Sequence, residues 1–490
     1  MKQFGLMVSI VLCLGGCAVG PDFEKPCPPT TSSYTEKPLP CKTSQTKGVG
    51  GQAQYFITGK DIPSDWWRVF HSCALNELIK RALKNSPNLQ AAQAAWRQAD
   101  ENLRVSTASL FPFVSVQPSY QRQSFSGTQF GPQNTQDLTT FNLYNASINV
   151  TYTLDTFGGI RRQIEASRAQ TDYQKFITEA TFLTLTSNIV TSAITEASLR
   201  AQLQATKELI KLQEKTLQIT EKKFRLGAVS RSDVFAQQAQ LAQMRASLSP
   251  LQKSLSQTRH ALSVLIGEYP SESHLPVFSL EDLTLPRDLP ISLPSALVRQ
   301  RPDVRAAEEL LHAASAQIGV ATANLFPQIT LSGAYGWSSN FLPGLFDANN
   351  VLWNILGSLT QPIFQGGALM AKRRASIAAF EQAFAQYKQA VLQAFQNVAD
   401  TLRALEIDAE QLCYQMEAEE ATWSTFQLTQ VQYRVGAVGY LNMLDAERQY
   451  LNARINRIQA QASRYADTAA LFQALGGGWW NRPSICGTGK

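Results

Sequence analysis

Two stretches of this 490-residue chain contain neither glycine nor proline, and each is longer than a single globular core is wide. Ile160 to Leu226 gives 67 residues and Ala368 to Val435 gives 68. As an α-helix rising 1.5 Å per residue, either run spans about 100 Å, so it needs lateral partners along its whole length. The seam for them is present. Tyr173, Phe176, Ala180, Leu183, Ser187, Val190, Ile194, Ala197 and Ala201 alternate steps of three and four residues. Phe380, Phe384, Tyr387, Val391, Phe395, Val398, Leu402, Leu405, Ala409, Leu412 and Met416 do the same with one extra four-residue step. That spacing is coiled-coil packing. Past each run the chain reverses into a second helix, Arg231 to Ile266 and Tyr440 to Leu475, which predicts two long α-hairpins. Pro250 is predicted to kink or break the first of these returns.

The two hairpins are parts of a longer repeat. Each long run follows a glycine pair (Gly158-Gly159, Gly366-Gly367) and ends at Arg-x-Gly-Ala-Val, at Arg225 and at Arg434. Upstream, Leu110-Phe111-Pro112 recurs as Leu325-Phe326-Pro327, and Ser86-Pro87-Asn88-Leu89 has its counterpart in Arg301-Pro302-Asp303-Val304. A module of about 210 residues written twice is far longer than a solenoid unit.

Between each Leu-Phe-Pro and its glycine pair the period changes to two. Tyr144, Ala146, Ile148, Val150, Tyr152 and Leu154 alternate with Asn145, Ser147, Asn149, Thr151, Thr153 and Asp155. Ile329, Leu331, Gly333, Tyr335 and Trp337 alternate likewise. Val114, Val116 and Tyr120 outline a partner for the first, and Trp353, Ile355 and Leu359 a partner for the second. Four strands with one oily and one wet face follow, each near the ~10 residues that cross a bilayer as tilted β. A half-buried soluble sheet has the same pattern, and alternation alone leaves both readings open.

The composition fits surfaces that do not all meet bulk water. Charged residues make up 17% of the chain, against ~25% in ordinary soluble proteins. Gln alone, at 45 residues, outnumbers the 44 Lys plus Arg. A net charge of +6 without basic runs gives no phosphate-tracking stripe, so nucleic acid is not an expected partner. No enzyme motif is present: the four histidines, His71, His260, His274 and His312, fall in no HExxH, and there is no G-x-S-x-G or P-loop.

The N-terminus is a leader. Lys2 precedes an apolar run from Phe4 to Leu14, and Leu14-Gly15-Gly16-Cys17 resembles the bacterial lipobox, in which the thiol is acylated and the chain is cut before it. Removing Cys13 and acylating Cys17 leaves Cys27, Cys41, Cys73, Cys413 and Cys486, an odd number in an oxidising compartment. One disulfide among Cys27, Cys41 and Cys486 is an expectation. The predicted organisation is a leader over 1–16, an anchor and Pro-rich tether over 17–60, and a first repeat over 61–268. That repeat has strands near 113–155 and a hairpin over 160–266. A Pro-rich connector over 269–300 leads to a second repeat over 301–475, with strands near 328–362 and a hairpin over 368–475, and a tail over 476–490.

Four strands cannot close a transmembrane barrel, since the smallest have eight, and open edges in lipid are forbidden. The chain is therefore expected to oligomerise around a shared pore.

The lipobox, Trp66-Trp67-Arg68-Val69-Phe70, both Leu-Phe-Pro entries, Tyr433-Arg434-x-Gly436, Tyr440-Leu441-x-x-Leu444-Asp445-Ala446 and the ending Ala474-Leu475-Gly476-Gly477-Gly478-Trp479 together resemble the outer-membrane factor family. The closer resemblance is to its lipoprotein branch, which serves resistance-nodulation-division efflux pumps. It covers essentially the whole mature chain. It implies a mixed α/β membrane protein: a homotrimer with a twelve-stranded outer-membrane barrel, four strands per protomer, continuous with a long α-helical periplasmic barrel. It implies a passive exit duct for small molecules, in the outer membrane of a Gram-negative-type bacterium. The implied partners are a periplasmic adaptor, an inner-membrane pump and outer-membrane lipid, with no cofactor beyond the covalent lipid on Cys17.

The resemblance further implies a periplasmic gate at the hairpin ends. Leu441 and Asp445, four apart and so on one helix face, would form rings that narrow the closed tube. Tyr433, Arg434, Arg231 and Asp233 would form a polar lock beside the turns. The turns Gly227, Ala228, Val229, Ser230 and Gly436, Ala437, Val438, Gly439 would meet the adaptor. Many family members carry an acidic residue close after the turn glycine, where this chain has Val438-Gly439. Two alternatives stand beside this reading: a type I protein-secretion channel, and a lipid-anchored coiled-coil spacer or adhesin without a pore.

Overall fold

The computed structural model describes residues 18–31, 33–125 and 139–482. The expected leader, the expected acylation site Cys17 and the tail cysteine Cys486 lie outside the described residues. In chain order the elements are β1 (Tyr55–Thr58), α1 (Cys73–Asn85), α2 (Pro87–Ala108), β2 (Phe113–Phe125), β3 (Thr139–Leu154), α3 (Gly159–Arg225) and α4 (Arg231–Leu265). They continue with β4 (Asp288–Ile291), α5 (Pro294–Gln300), α6 (Pro302–Ala323), β5 (Gln328–Ser339), β6 (Val351–Thr360), α7 (Ala368–Arg434) and α8 (Tyr440–Ala474). The duplication is thus visible in the helices: α3 and α7 have 67 residues each, and α4 and α8 have 35 each. Among the described residues no helix is long and apolar enough to cross a membrane.

The chain divides into two compact units. The first draws on residues 1–26, 95–174 and 307–387, and holds the antiparallel sheet β2-β3-β5-β6. Its register sets Val116 beside Ile148, Ile148 beside Tyr335, and Tyr335 beside Trp353. Paired residues share a face and neighbours along a strand do not, so one oily row crosses all four strands. The next row on the other face is Ser115, Asn149, Ala334 and Asn354. Small and amide side chains knit this wet face, as where Asn354 Oδ1 accepts from the Ala334 amide at 3.1 Å. Gly336 is required by close approach: a Cβ there would lie 2.3 Å from the Ala146 carbonyl oxygen on β3. The oily face is uncovered within one chain, with Val116 71% and Trp353 69% exposed.

The same unit fixes the residues that follow Cys17. Asp155 accepts from the amides of Ile160 and Arg161 at 2.9 and 3.0 Å, capping the first turn of α3. Against this corner the Val19 amide donates to the Phe157 carbonyl at 3.0 Å, and Arg162 pairs with Asp22 at 2.6 Å. Phe23 stacks on His312, with ring centroids 4.4 Å apart. The residue following Cys17 is therefore seated beside the strand-to-helix corner.

The second unit draws on 27–94, 175–306 and 388–490. The lower parts of α3 and α7 pack with α4 and α8 along the predicted seam, where Ile189, Val190, Ile194, Val398, Leu402, Leu405 and Leu412 are all buried. β1 and β4 form a parallel pair. Trp66 is wholly buried and stacks on Phe472 at 5.5 Å. The Pro-rich stretch is extended, as predicted, and it is also fastened. The Tyr34 hydroxyl donates to the Ser292 carbonyl, Arg403 donates to the Lys37 carbonyl, and the fully buried Arg464 donates to the carbonyls of Gly50 and Gln52.

Two expectations change. Pro250 does not break the first return, because α4 is one helix through it. A proline removes a single intrahelical bond, and α4 is held on either side of it by buried Leu241, Met244 and Leu262. Cys27 and Cys41 are not paired with each other; with Cys73 and Cys413 they are free thiols among the described residues.

Candidate gate at the hairpin turns

Both turns reverse the chain by the same device. Gly227 and Gly436 adopt φ of 75° and 78°, the left-handed region open to glycine. The next amide then closes the helix end, Ala228 donating to the Lys223 carbonyl and Ala437 to the Gln432 carbonyl, each at 2.9 Å. This is the Schellman arrangement. The start of the following helix differs. Ser230 caps α4 in a reciprocal box with Asp233, whereas α8 begins at Gly439 with no side-chain cap. The glycine lacks the hydroxyl that satisfies an orphan amide, a difference of a few tenths of a kcal/mol.

Leu441 and Asp445 do lie on one exposed face of α8. Leu441 is 69% exposed, and Asp445 binds only its own helix, to Arg448 at 3.1 Å and to Gln449 at 2.7 Å. The other face of the same turns, Met443, Ala446 and Tyr450, is buried. Arg231 sits over the Phe235 ring at 5.3 Å, Asp233 accepts from the Ser230 amide and hydroxyl, and Arg434 donates to Gln430 at 2.9 Å. Within one chain these three residues therefore bind inside their own hairpins, and the structure does not bring them together. Tyr433 is the member that crosses: Lys223 of α3 lies 4.9 Å over its ring. The turns expected to meet the adaptor are flanked by exposed Leu226, at 84%, and Val435, at 74%.

The contacts that join the hairpins come mostly from residues that spacing did not mark. The Gln213 amide of α3 donates to the Tyr440 hydroxyl of α8 at 3.1 Å, and Arg454 of α8 pairs with Glu208 of α3 at 2.9 Å. The amide of Gln204 and the Arg454 guanidinium hold the Glu208 carboxyl below its usual range. Leu209, Ile210, Leu241, Met244, Phe426, Ala446 and Tyr450 form one apolar cluster drawn from all four helices. Burial pushes the Tyr440 phenol up to about 12. The available signal was the seam itself, since Tyr440, Met443, Glu447 and Tyr450 keep the three-four spacing past the turn.

Comparison with known proteins agrees with this geometry. The family described as outer membrane efflux protein matches residues 78–268 and 293–477, one match per repeat. The chain is similar to the cation efflux system protein CusC of Escherichia coli O6:H1, 29% identical over 473 residues, covering 96% of this chain and 97% of that protein. It is similar to the pyoverdine export outer membrane protein OpmQ of Pseudomonas aeruginosa, 30% identical over 438 residues, covering 87% and 91%. The probable outer membrane lipoprotein SilC of Salmonella typhimurium is 29% identical over 478 residues, covering 97% and 98%. Among solved structures, the outer-membrane channel OprN superposes with a TM-score of 0.84 at 28% identity, covering 94% of this chain and all of that one. The open state of the Neisseria gonorrhoeae MtrE channel gives 0.79 at 26% identity, covering 94% and 99%. A match that falls once on each copy of the repeat and leaves out little of either places the chain in the outer membrane efflux protein family, as an outer-membrane channel of efflux systems.

Proposed function

We propose that the chain is the trimeric, lipid-anchored exit duct of a tripartite efflux system, passing small molecules from a periplasmic adaptor and an inner-membrane resistance-nodulation-division pump to the exterior. The sheet of the first unit carries this reading. It is four strands wide, its oily face is open, and β2 and β6 at its edges have no second neighbour among the described strands. Backbone edges have no partners in lipid, so such a sheet must close against copies of itself, and three copies make a twelve-stranded barrel. The wet face, of Ser, Thr, Asn and Gln, then lines the pore. Cys17 carries the lipid, next to the corner where Ala18 is seated.

In the same proposal Leu441 and Asp445 of three protomers narrow the closed mouth. Tyr433, Arg434, Arg231 and Asp233 act between protomers where they do not meet within one. The turns at 227–230 and 436–439 receive the adaptor. The duct performs no bond-making chemistry and holds no cofactor beyond the acyl chains. CusC is named for cations and OpmQ for pyoverdine at nearly equal identity to this chain, so the cargo is set by the pump rather than by features the ducts share.

The test is reconstitution of the purified protein in planar bilayers, with its mass measured in detergent. A trimer with small closed-state conductance that rises in an Asp445→Ala, Arg434→Ala double variant supports the reading. A monomer without conductance in either form overturns it. Cys17→Ala should lose the lipid yet still give trimer, because the barrel supplies its own membrane affinity.

A further inference from the structure

From the apolar cluster of the four helices to the hairpin turns, α3, α4 and α8 carry a layer of buried polar side chains that neither the lock nor the leucine-aspartate face uses. Gln213 and Thr220 of α3, Gln237 of α4, and Tyr440 and Glu447 of α8 are all buried, Glu447 to 2% exposure. Two hydrogen bonds join them, Gln213 to the Tyr440 hydroxyl at 3.1 Å and Gln237 to the Thr220 hydroxyl at 2.8 Å. What remains is a surplus of acceptors. Oε1 of Gln213, Oε1 of Gln237 and Oε1 of Glu447 are each sealed from solvent without a hydrogen-bond partner. Glu447 follows Tyr440 by seven residues and precedes Tyr450 by three, so it projects from the face of α8 that packs on α3.

We propose that this layer is the seam along which the second hairpin parts from the first, and that a proton on Glu447 holds the seam shut. A neutral carboxyl needs no counter-ion and can donate as well as accept a hydrogen bond. An ionised one would be a buried charge with no counter-ion. Among the described ion pairs Glu447 has none. From α7 the layer meets the Tyr433 phenol beside Tyr440, with rings 5.8 Å apart. From α4 it meets Asp233, whose charge reaches Tyr440. From α3 it meets neutral Gln213 and Thr220, while Lys223 is engaged on the Tyr433 ring. On α8 itself Asp445 and Arg448 pair with each other on the exposed face.

Burial accordingly pushes the Glu447 carboxyl up to about 7. Parting the hairpins wets it and returns it to the ordinary range, so each opening releases a proton. The closed packing keeps its full advantage below the ordinary carboxylate range and loses it as pH rises through about 7. This rests on the duct reading above and adds a condition to its gate.

The experiment measures open probability in planar bilayers between about pH 5.5 and 8.5, in the wild type and in Glu447→Gln. The wild type should open more often as pH rises, by roughly tenfold or more for a shift of this size. Glu447→Gln should stay closed with a flat profile. Equal slopes in the two proteins, or a flat wild type that nevertheless conducts, overturn the proposal. Infrared difference titration of the detergent-solubilised trimer supplies a readout independent of current. A neutral-carboxyl band present at pH 6, lost on titration through about 7 and missing in Glu447→Gln, is the expected result. A Glu447 that ionises in the ordinary range sinks the proposal even where conductance is absent. Absent conductance with the expected band sinks the duct reading instead.

Discussion

The two hairpins descend from one module and have been secured by opposite means. In the first, Glu196 of α3 is fully buried and accepts from Arg200 on its own helix and from Arg259 on α4. Arg259 also donates to the carbonyls of Leu275 and Pro276 in the connector. Its far end is capped by the Ser230–Asp233 box. The second hairpin has the converse: a fully buried cation, Arg464, bound by the Gly50 and Gln52 carbonyls and the Thr43 hydroxyl, and a far end with no side-chain cap. Both hairpins carry ion pairs between their own helices, such as Arg457–Glu419 in the second. The buried anion of the first, however, is met by its own arginines, whereas the buried cation of the second is met by a separate strap and its turn has no side-chain cap. The gate proposed above needs one fixed and one movable element, and α7 and α8 are expected to be the movable part.

Breaking each anchor tests that contrast with the largest effects. Glu196→Gln leaves two arginines facing a neutral amide and should cost about 3 kcal/mol, the usual penalty for breaking a buried pair from one side. Arg464→Met leaves backbone carbonyls unsatisfied and should cost about 2 kcal/mol. Both are read as falls in thermal midpoint. Limited proteolysis separates them: Arg464→Met should expose the strap near residues 43–54, and Glu196→Gln should leave that stretch protected. Equal strap cleavage in the two variants would remove the distinction.

The second hairpin should also be the more pH-sensitive. Burial and then Asp467 push the Asp408 carboxyl of α7 up to about 7. A raised carboxyl favours the folded state at low pH, and that advantage fades as pH climbs from the ordinary range through about 7. Asp408→Asn should therefore raise the thermal midpoint more at pH 7 than at pH 5. A constant offset at both would show that the carboxyl is not perturbed.

Exchanging the caps reaches the same contrast with a smaller effect. Gly439→Ser with Asn442→Asp copies the Ser230–Asp233 box onto α8 and should stabilise its first turn by about half a kcal/mol. Conductance should fall if the loose turn is part of the opening movement. The reverse change, Ser230→Gly alone, should destabilise α4 by a few tenths of a kcal/mol and leave conductance nearly unchanged.

How far all this could be read from the sequence follows from the range of each interaction. Helix ends, turns and strands were legible because their causes are local: Gly227 and Gly436 close helices, and alternation from Tyr144 to Leu154 sets a pleat. The seam was legible too, since residues such as Val398, Leu402 and Leu405 repeat at helical spacing. The anchors were not. Arg464 looks like any surface arginine until Gly50 and Gln52, more than 400 residues away, place their carbonyls on it. Cysteine arithmetic carries no distance either: of the three cysteines expected to share one disulfide, Cys27 and Cys41 are not joined to each other, and Cys486 lies outside the described residues. Among gate residues, the common face of Leu441 and Asp445 followed from four-residue spacing, but the partner of Tyr433 did not. Lys223 lies in a run of basic residues that gives no hint of which one crosses.

Lys223 is also where the contrast can be probed most gently. Its ammonium lies 4.9 Å over the Tyr433 ring and ties the end of the fixed hairpin to the end of the movable one. A cation over an aromatic face at an exposed site contributes about 0.5–1 kcal/mol. Lys223→Met keeps the aliphatic stem and removes only the charge, so folding and thermal midpoint should be unaffected. Tyr433→Leu also removes the ring beside Tyr440 and should raise opening at least as much, and the double variant should add nothing beyond it, because the Lys223 contact is then already gone. Open probability should rise by roughly two- to fivefold in Lys223→Met, the equivalent of that energy. Additive effects in the double variant would mean that the two residues act on different partners and that the tie between hairpins lies elsewhere.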